Sequence, residues 1–143
     1  MKTSLHGAIK IKQREGCLLH AYRDIRGIWT VGVGHSSEAG TPPTVYPGMR
    51  ITMAQALGIL QGDLAPREVV MNELLKRPAT QNQFDAMMSL MFNIGDTGFK
   101  DSDVLRLFNE GDMQAAANAF SHWSHPADLA QRRAEERQQF LTA

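Results

Sequence analysis

Apolar residues fall at helical spacing in the opening stretch, where Leu5, Ala8, Ile9 and Ile11 stand among lysines, Gln13 and Arg14. That pattern predicts a helix over 3–15, with Thr3 or Ser4 near its N-cap and Gly16 closing it. The period then shortens. "HAYRD", "IRG" and "IWTVGVGH" read as a β-hairpin with Gly27 in the turn. Period two puts Ile28, Thr30, Gly32 and Gly34 on one face of the returning strand, and Trp29, Val31, Val33 and His35 on the other. "SSEAGTPPTVYPG" follows as a loop rich in Gly, Pro and Ser, expected to be the most mobile segment. From Thr52 the helical period returns. "TMAQ" is a Thr-x-x-Gln capping box that opens a helix running toward Leu75, kinked or split at Pro66 and ended by Pro78. "TQNQFDAMMSLMFNIG" repeats the signal, with Thr80 as N-cap, Gln83 three residues on and Gly95 past the end. Phe84, Met87, Met88, Leu90, Met91 and Ile94 cover much of that helix, which predicts burial on most sides. Shorter helices are expected around 102–109, 112–123 and 128–141.

These elements predict an α+β fold within a single domain spanning 1–143. A small β-hairpin lobe would occupy about 17–50. A larger, mostly helical lobe would occupy about 51–143 together with the N-terminal helix, with a cleft between the two. The chain has 143 residues, 43% of them hydrophobic and 21% charged, which is enough for one sizeable core. There is no uncharged apolar run of about 18 residues, so no membrane insertion is expected. The first residues lack the apolar stretch of a secretory signal. Cys17 is the only cysteine, so the fold stands without an internal disulfide and suits a cytoplasm. Net charge is zero but unevenly spread. Residues 1–50 carry seven Lys and Arg against three Asp and Glu, while residues 51–143 carry eight against twelve. A basic front half suits an anionic polymer. It falls well short of a dedicated nucleic-acid binder, and no nucleic-acid partner is expected.

The candidate chemistry lies at the first helix and the hairpin. Glu15 sits at the negative end of a helix macrodipole, where the protonated carboxyl is favoured. Partial burial would act the same way and leave the general acid that cleavage of a glycosidic bond requires. Arg14, Arg23 and Arg26 nearby would oppose it. A turn centred on Gly27 sets Asp24 opposite Thr30, where a carboxylate and a hydroxyl can share a water. A strand face carrying Thr30, Gly32 and Gly34 leaves room for a sugar chain. Each residue also has a structural reading: Glu15 as a solvated helix-end charge, Asp24 as a turn former, Thr30 as a strand former. Cys17-x-x-His20 supplies only half of a metal site, and neither metal nor cofactor is expected.

"EGCLLHAYRDIRGIWTVGVGH" resembles the active-site segment of the phage-type lysozymes, the endolysins of T-even and lambdoid bacteriophages. Glu15, Asp24, Thr30 and the "GVGH" at 32–35 match its pattern. The likeness continues through "GMRIT", "TQNQFDAMMSLMFNIG", "LRLFNEGD" and "RRAEE", and so covers nearly the whole chain. The resemblance implies hydrolysis of the β-1,4 bond between N-acetylmuramic acid and N-acetylglucosamine in peptidoglycan, with lysis of the host cell. By position, Glu15 is the general acid, Asp24 activates or stabilises at the opposite face of the sugar, and Thr30 holds the attacking water. Such enzymes invert configuration, with their carboxylates ~6.5–9.5 Å apart. Tyr22, Gly32, Gly34, Phe99 and Arg133 are the expected substrate contacts.

The chain departs from the family pattern in three places. The loop before the terminal helix is shortened to "SHPADLAQRR", and Val33 replaces an aromatic residue that would stack on sugar. The signal-anchor of some relatives is missing, so release is expected to need a holin. The enzyme would wait in the host cytoplasm and act as a monomer in the periplasm, on the cell wall.

Arg132, Arg133, Glu135, Glu136 and Arg137 read as a solvated charged face with i,i+3 and i,i+4 pairs. The sharper alternative has one of these arginines orienting Glu15. His35 is expected to brace the hairpin, and Trp29 and Trp123 to lie in the core. Two rival functions remain open at this point. A lytic transglycosylase would make Asp24 and Thr30 superfluous and leave 1,6-anhydro ends. A silent wall-binding module would not need all three residues.

Overall fold

The computed structural model describes residues 1–143. Its elements run α1 (Leu5–Glu15), β1 (Leu18–Arg23), β2 (Trp29–Gly32), β3 (His35–Ser36), α2 (Met53–Leu74), α3 (Gln81–Ile94), α4 (Asp96–Lys100), α5 (Asp103–Glu110), α6 (Met113–Ala119) and α7 (Ala130–Leu141). Short 3-10 turns lie at Ser37–Ala39, Phe120–Trp123 and Ala127–Leu129. This is the α+β composition the sequence predicts. No helix is long and apolar enough to cross a membrane.

Two compact units divide the chain: residues 8–66 form one, and residues 1–7 with 67–143 the other. Most of α1 therefore belongs with the sheet, not with the helical lobe as expected. The division falls at Pro66, inside α2, yet that helix is continuous for 22 residues. Proline neither splits nor ends it. The Thr52–Gln55 capping box is made in both directions, at 2.8 and 3.1 Å. Buried Ala56, Leu60, Leu64 and Met71 flank the proline on both sides. That burial offsets a helix-interior proline, which costs ~3 kcal/mol.

In the sheet unit the strands form an antiparallel meander in the order β1-β2-β3. Backbone bonds Ala21 N–H to Met49 O (2.8 Å) and Ile51 N–H to Leu19 O (2.9 Å) add the 49–51 segment to the free side of β1. A small core of Val31, Val45 and Met49 forms here, with Ala21, Trp29 and Ile51 packed against it. The predicted single returning strand is two strands. Gly32 (φ +65°) and Gly34 (φ +66°) are left-handed, which an extended strand cannot accommodate, and the chain turns at Val33. The expected alternation of faces fails for the same reason: Thr30, Val31, Gly32 and Val33 are all buried.

The loop after β3 is pinned along its length. Ser36 caps its first turn, Val45 N–H donates to Ser37 Oγ (3.1 Å), and Thr41 donates to Asp63. His35, 1% exposed, places Nδ1 2.8 Å from Asp63 Oδ2 and Nε2 2.8 Å from the Pro43 carbonyl. His35 braces the hairpin, as the sequence suggests, by tying it to α2 and to this loop.

The other unit is built on α3. Thr80 and Gln83 make the reciprocal capping box, Gly95 ends the helix, and residues 84–91 are all buried. It packs against α7, while Phe108, Phe120 and Phe140 stack edge-on and tilted at 6.4 and 5.5 Å. Asp85, fully buried, accepts from Ser4 N–H (3.0 Å), Ser4 Oγ and Gln81 Nε2 (2.8 Å). Ser4 Oγ in turn accepts from Gly7 N–H at 2.9 Å, so the predicted N-cap of α1 is itself held by a carboxylate. The position-7 residue must be glycine here, since a Cβ would lie 2.5 Å from Asp85 Cγ.

Candidate active site

Glu15 is the last residue of α1, and the chain leaves the helix through Gly16, whose φ of +83° favours glycine. Gly16 N–H still bonds to Lys12 O (2.9 Å), so the helix is closed directly behind the carboxylate. The chain then passes into β1. Glu15, Gly16, Cys17, Leu18, Tyr22, Gly32 and Gly34 wall one hollow of about 340 Å³, at the small end of the range of ~300–1,000 Å³ for ligand pockets. Glu15 itself is exposed, which corrects the expected partial burial. Of the predicted sugar contacts, Tyr22, Gly32 and Gly34 lie in this wall. Cys17 and Leu18 also line it.

Asp24 and Thr30 are not in that wall. Asp24 lies in the hairpin turn and Thr30 on β2. Tyr22 pairs with Thr30 and Arg23 with Trp29. Asp24 N–H donates to Ile28 O (2.9 Å), so Asp24 faces Ile28 and not Thr30. Gly27, at φ +80°, is the left-handed residue that closes this loop, and the pairing is centred on Arg26, one residue before the Gly27 centre expected. Asp24 Oδ1 accepts from the backbone N–H of Arg26 (2.8 Å) and of Ile28 (2.9 Å). Those donors hold its carboxyl below the usual carboxylate range: the Ile28 bond acts most strongly, partial desolvation opposes it, and the Arg26 amide and guanidinium add to it. Asp24 is thus kept ionised. The Tyr22 phenol is pushed up, first by burial and then by the charge of Asp24. Thr30, 3% exposed, donates its hydroxyl to Ile28 O at 2.9 Å, which leaves its lone pairs as acceptors. Arg23 is occupied by cation–π stacking 5.0 Å over Trp29.

Residues 12–136 match the sequence profile of the family described as phage lysozyme. The endolysin of Salmonella phage P22 is 42% identical over 146 residues, covering 99% of each chain. The chain belongs to the phage lysozyme family. A solved P22 lysozyme mutant superimposes with a TM-score of 0.92 at 42% identity, over 99% of both chains. The muramidase domain of SpmX from Asticaccaulis excentricus reaches 0.88 at 38% identity, again over 99% of both. This lysozyme is a glycoside hydrolase, a muramidase. It hydrolyses the β-1,4 bond between N-acetylmuramic acid and N-acetylglucosamine in bacterial peptidoglycan and so lyses the cell.

Two expected substrate contacts of the lysozyme are core residues instead. Phe99 is 0% exposed and has no surface to offer a saccharide. Arg133 is 1% exposed, donating Nε to Trp123 O (3.0 Å), Nη1 to Glu136 and Nη2 to Asn93. Arg132 joins the same fully buried Glu136 (Nε to Oε2, 3.1 Å), which also accepts from Ser89 Oγ at 2.6 Å. Arg132, Arg133 and Glu136 are therefore no solvated face, while Glu135 of the same run stays exposed. At i,i+3 and i,i+4 from one glutamate, the two arginines turn inward together. Val33, at 2% exposure, is likewise core and not a stacking position.

Proposed function

We propose that this lysozyme cleaves its bond by direct displacement, with Glu15 protonating the leaving oxygen. Asp24 would activate or stabilise at the opposite face of the sugar, and Thr30 would hold the attacking water. What carries the reading is the division of labour within the hairpin turn. One Asp24 oxygen is saturated by two backbone N–H groups, so Oδ2 supplies the lone pairs that a water needs. The Thr30 hydroxyl, its proton already committed to Ile28 O, also accepts from water. Two acceptors that bind a water by its protons leave its oxygen lone pair to attack. Glu15 supports the acid role by ending α1 in the wall of the hollow, exposed to the glycosidic oxygen it would protonate. Tyr22, Gly32 and Gly34 are proposed sugar contacts. The 143 residues would act as one monomeric domain, waiting in the host cytoplasm until a holin opens the way to the periplasm.

The test is clearing of outer-membrane-permeabilised Gram-negative cells. Glu15→Gln should lose at least ~10²-fold activity, the scale of general acid catalysis. Asp24→Asn should also cripple the enzyme, whereas Cys17→Ser should clear cells normally. Released fragments should carry reducing ends, first formed as the α-anomer. Undiminished lysis by Glu15→Gln would overturn the assignment.

A further inference from the structure

The turn that carries Asp24 holds a second charged pair. Arg26 Nη2 lies 3.5 Å from Asp24 Oδ2, the oxygen left over by the backbone donors. The same nitrogen lies 3.1 Å from Oε2 of Glu38, in the 3-10 turn that follows β3. One guanidinium nitrogen is thus shared between two carboxylates and sits closer to the one outside the hairpin turn. If the guanidinium closed fully on Asp24, its donors would cap the lone pairs that a reacting water needs. If it were absent, the carboxylate would lose a neighbouring positive charge that favours ionisation. The observed position lies between these extremes.

We propose that Arg26 is a positioning residue that steadies Asp24 Oδ2 for the reacting water, and that Glu38 restrains the guanidinium from capping that oxygen. This rests on the role assigned to Asp24 above. The segment bearing Glu38 is itself held, since Ser36 Oγ accepts from Glu38 N–H at 3.2 Å and the next residues are pinned through Ser37 and Asp63. Glu38 is therefore presented from a fixed backbone. The ionisable groups facing Asp24 are Arg26 in its own turn, Tyr22 on β1 and, through Arg26, Glu38. Arg26 and Glu38 side chains are 64% and 58% exposed, so replacing them leaves the core intact and the effects are modest and salt-sensitive.

The experiment measures kcat and KM on soluble peptidoglycan fragments across the acid limb of the pH profile, at low and high salt. The variants are Glu38→Gln, Arg26→Met, Arg26→Lys, the double variant Glu38→Gln/Arg26→Met, and Asp24→Asn. Melting temperatures serve as the folding control. Glu38→Gln should lower kcat about threefold at low salt with KM unchanged. That loss should vanish in the Arg26→Met background, where no guanidinium remains to be released. Arg26→Met should move the acid limb toward higher pH, and Arg26→Lys should move it back. High salt should narrow every difference. An inactive Asp24→Asn enzyme beside wild-type profiles for Glu38→Gln and Arg26→Met would overturn this inference alone. An active Asp24→Asn enzyme would overturn the assigned role of Asp24 and this inference with it.

Discussion

Replacing Glu136 by leucine would remove the one carboxylate that Arg132 and Arg133 share. The two arginines are 8% and 1% exposed, and the glutamate is fully buried, so no water replaces the lost partner. Removing one member of a buried ion pair costs roughly 3–5 kcal/mol, because the charge that remains loses its buried counter-charge. An unfolding entropy of about 2.1 cal/mol/K per residue over 143 residues turns that loss into a drop in Tm of about 10–17 °C. Urea melts at neutral pH should show the midpoint falling with an unchanged slope, since the surface exposed on unfolding is the same. Glu136→Gln keeps the shape and an acceptor for Ser89 and should show most of the same loss, because the missing charge dominates. Losses under about 1 kcal/mol in both variants would refute the reasoning and mean that the arginines reach solvent or another counter-charge.

Three further outcomes follow from the geometry. Phe99→Ala should cost about 3–5 kcal/mol in urea melts while KM for peptidoglycan stays at the wild-type value, and a raised KM would return Phe99 to the substrate surface. Gly27→Ala meets no atom within 4 Å of the new Cβ, so its cost should be backbone strain alone at φ +80°, about 1–2 kcal/mol by denaturation. Asp24 has a folded value below its unfolded one, so its ionised form adds stability above the ordinary carboxylate range, and this is lost as pH falls through the folded value. The gap in urea midpoint between wild type and Asp24→Asn should therefore shrink from pH 6 to pH 3, and a gap that holds constant would count against the backbone donors.

The features legible in the sequence are those whose causes are local. The caps at Ser4, Thr52 and Thr80 and the ends at Gly16 and Gly95 depend on partners within three or four residues. Each appears where the pattern put it. The buried face of α3 was readable because its apolar residues recur at one period. Helix α4 was not, since five residues after Gly95 are too few to establish a period. The charge-dense run in α7 was misread because the groups that make its burial tolerable, Ser89 and Asn93, lie more than forty positions away or at that distance. The anchoring of the 37–48 loop was not legible for the same reason: Gly and Pro content is local, but its anchor Asp63 is on the following helix. At the site, residue identity was legible while the Asp24–Thr30 register was not, because a loop closed by left-handed Gly27 centres the pairing on Arg26 and leaves composition unchanged.

The acid is aimed by counting. Glu15 ends an eleven-residue helix, and each residue of an α-helix advances its neighbours by about 100°. Most substitutions along the outer side of α1 would leave the carboxylate where it is, but deleting a single residue between Ser4 and Glu15 would swing it about a quarter-turn out of the hollow. The bearing of the reactive group is thus stored in the length of the opening segment, which places a stricter limit on gaps there than on amino-acid identity.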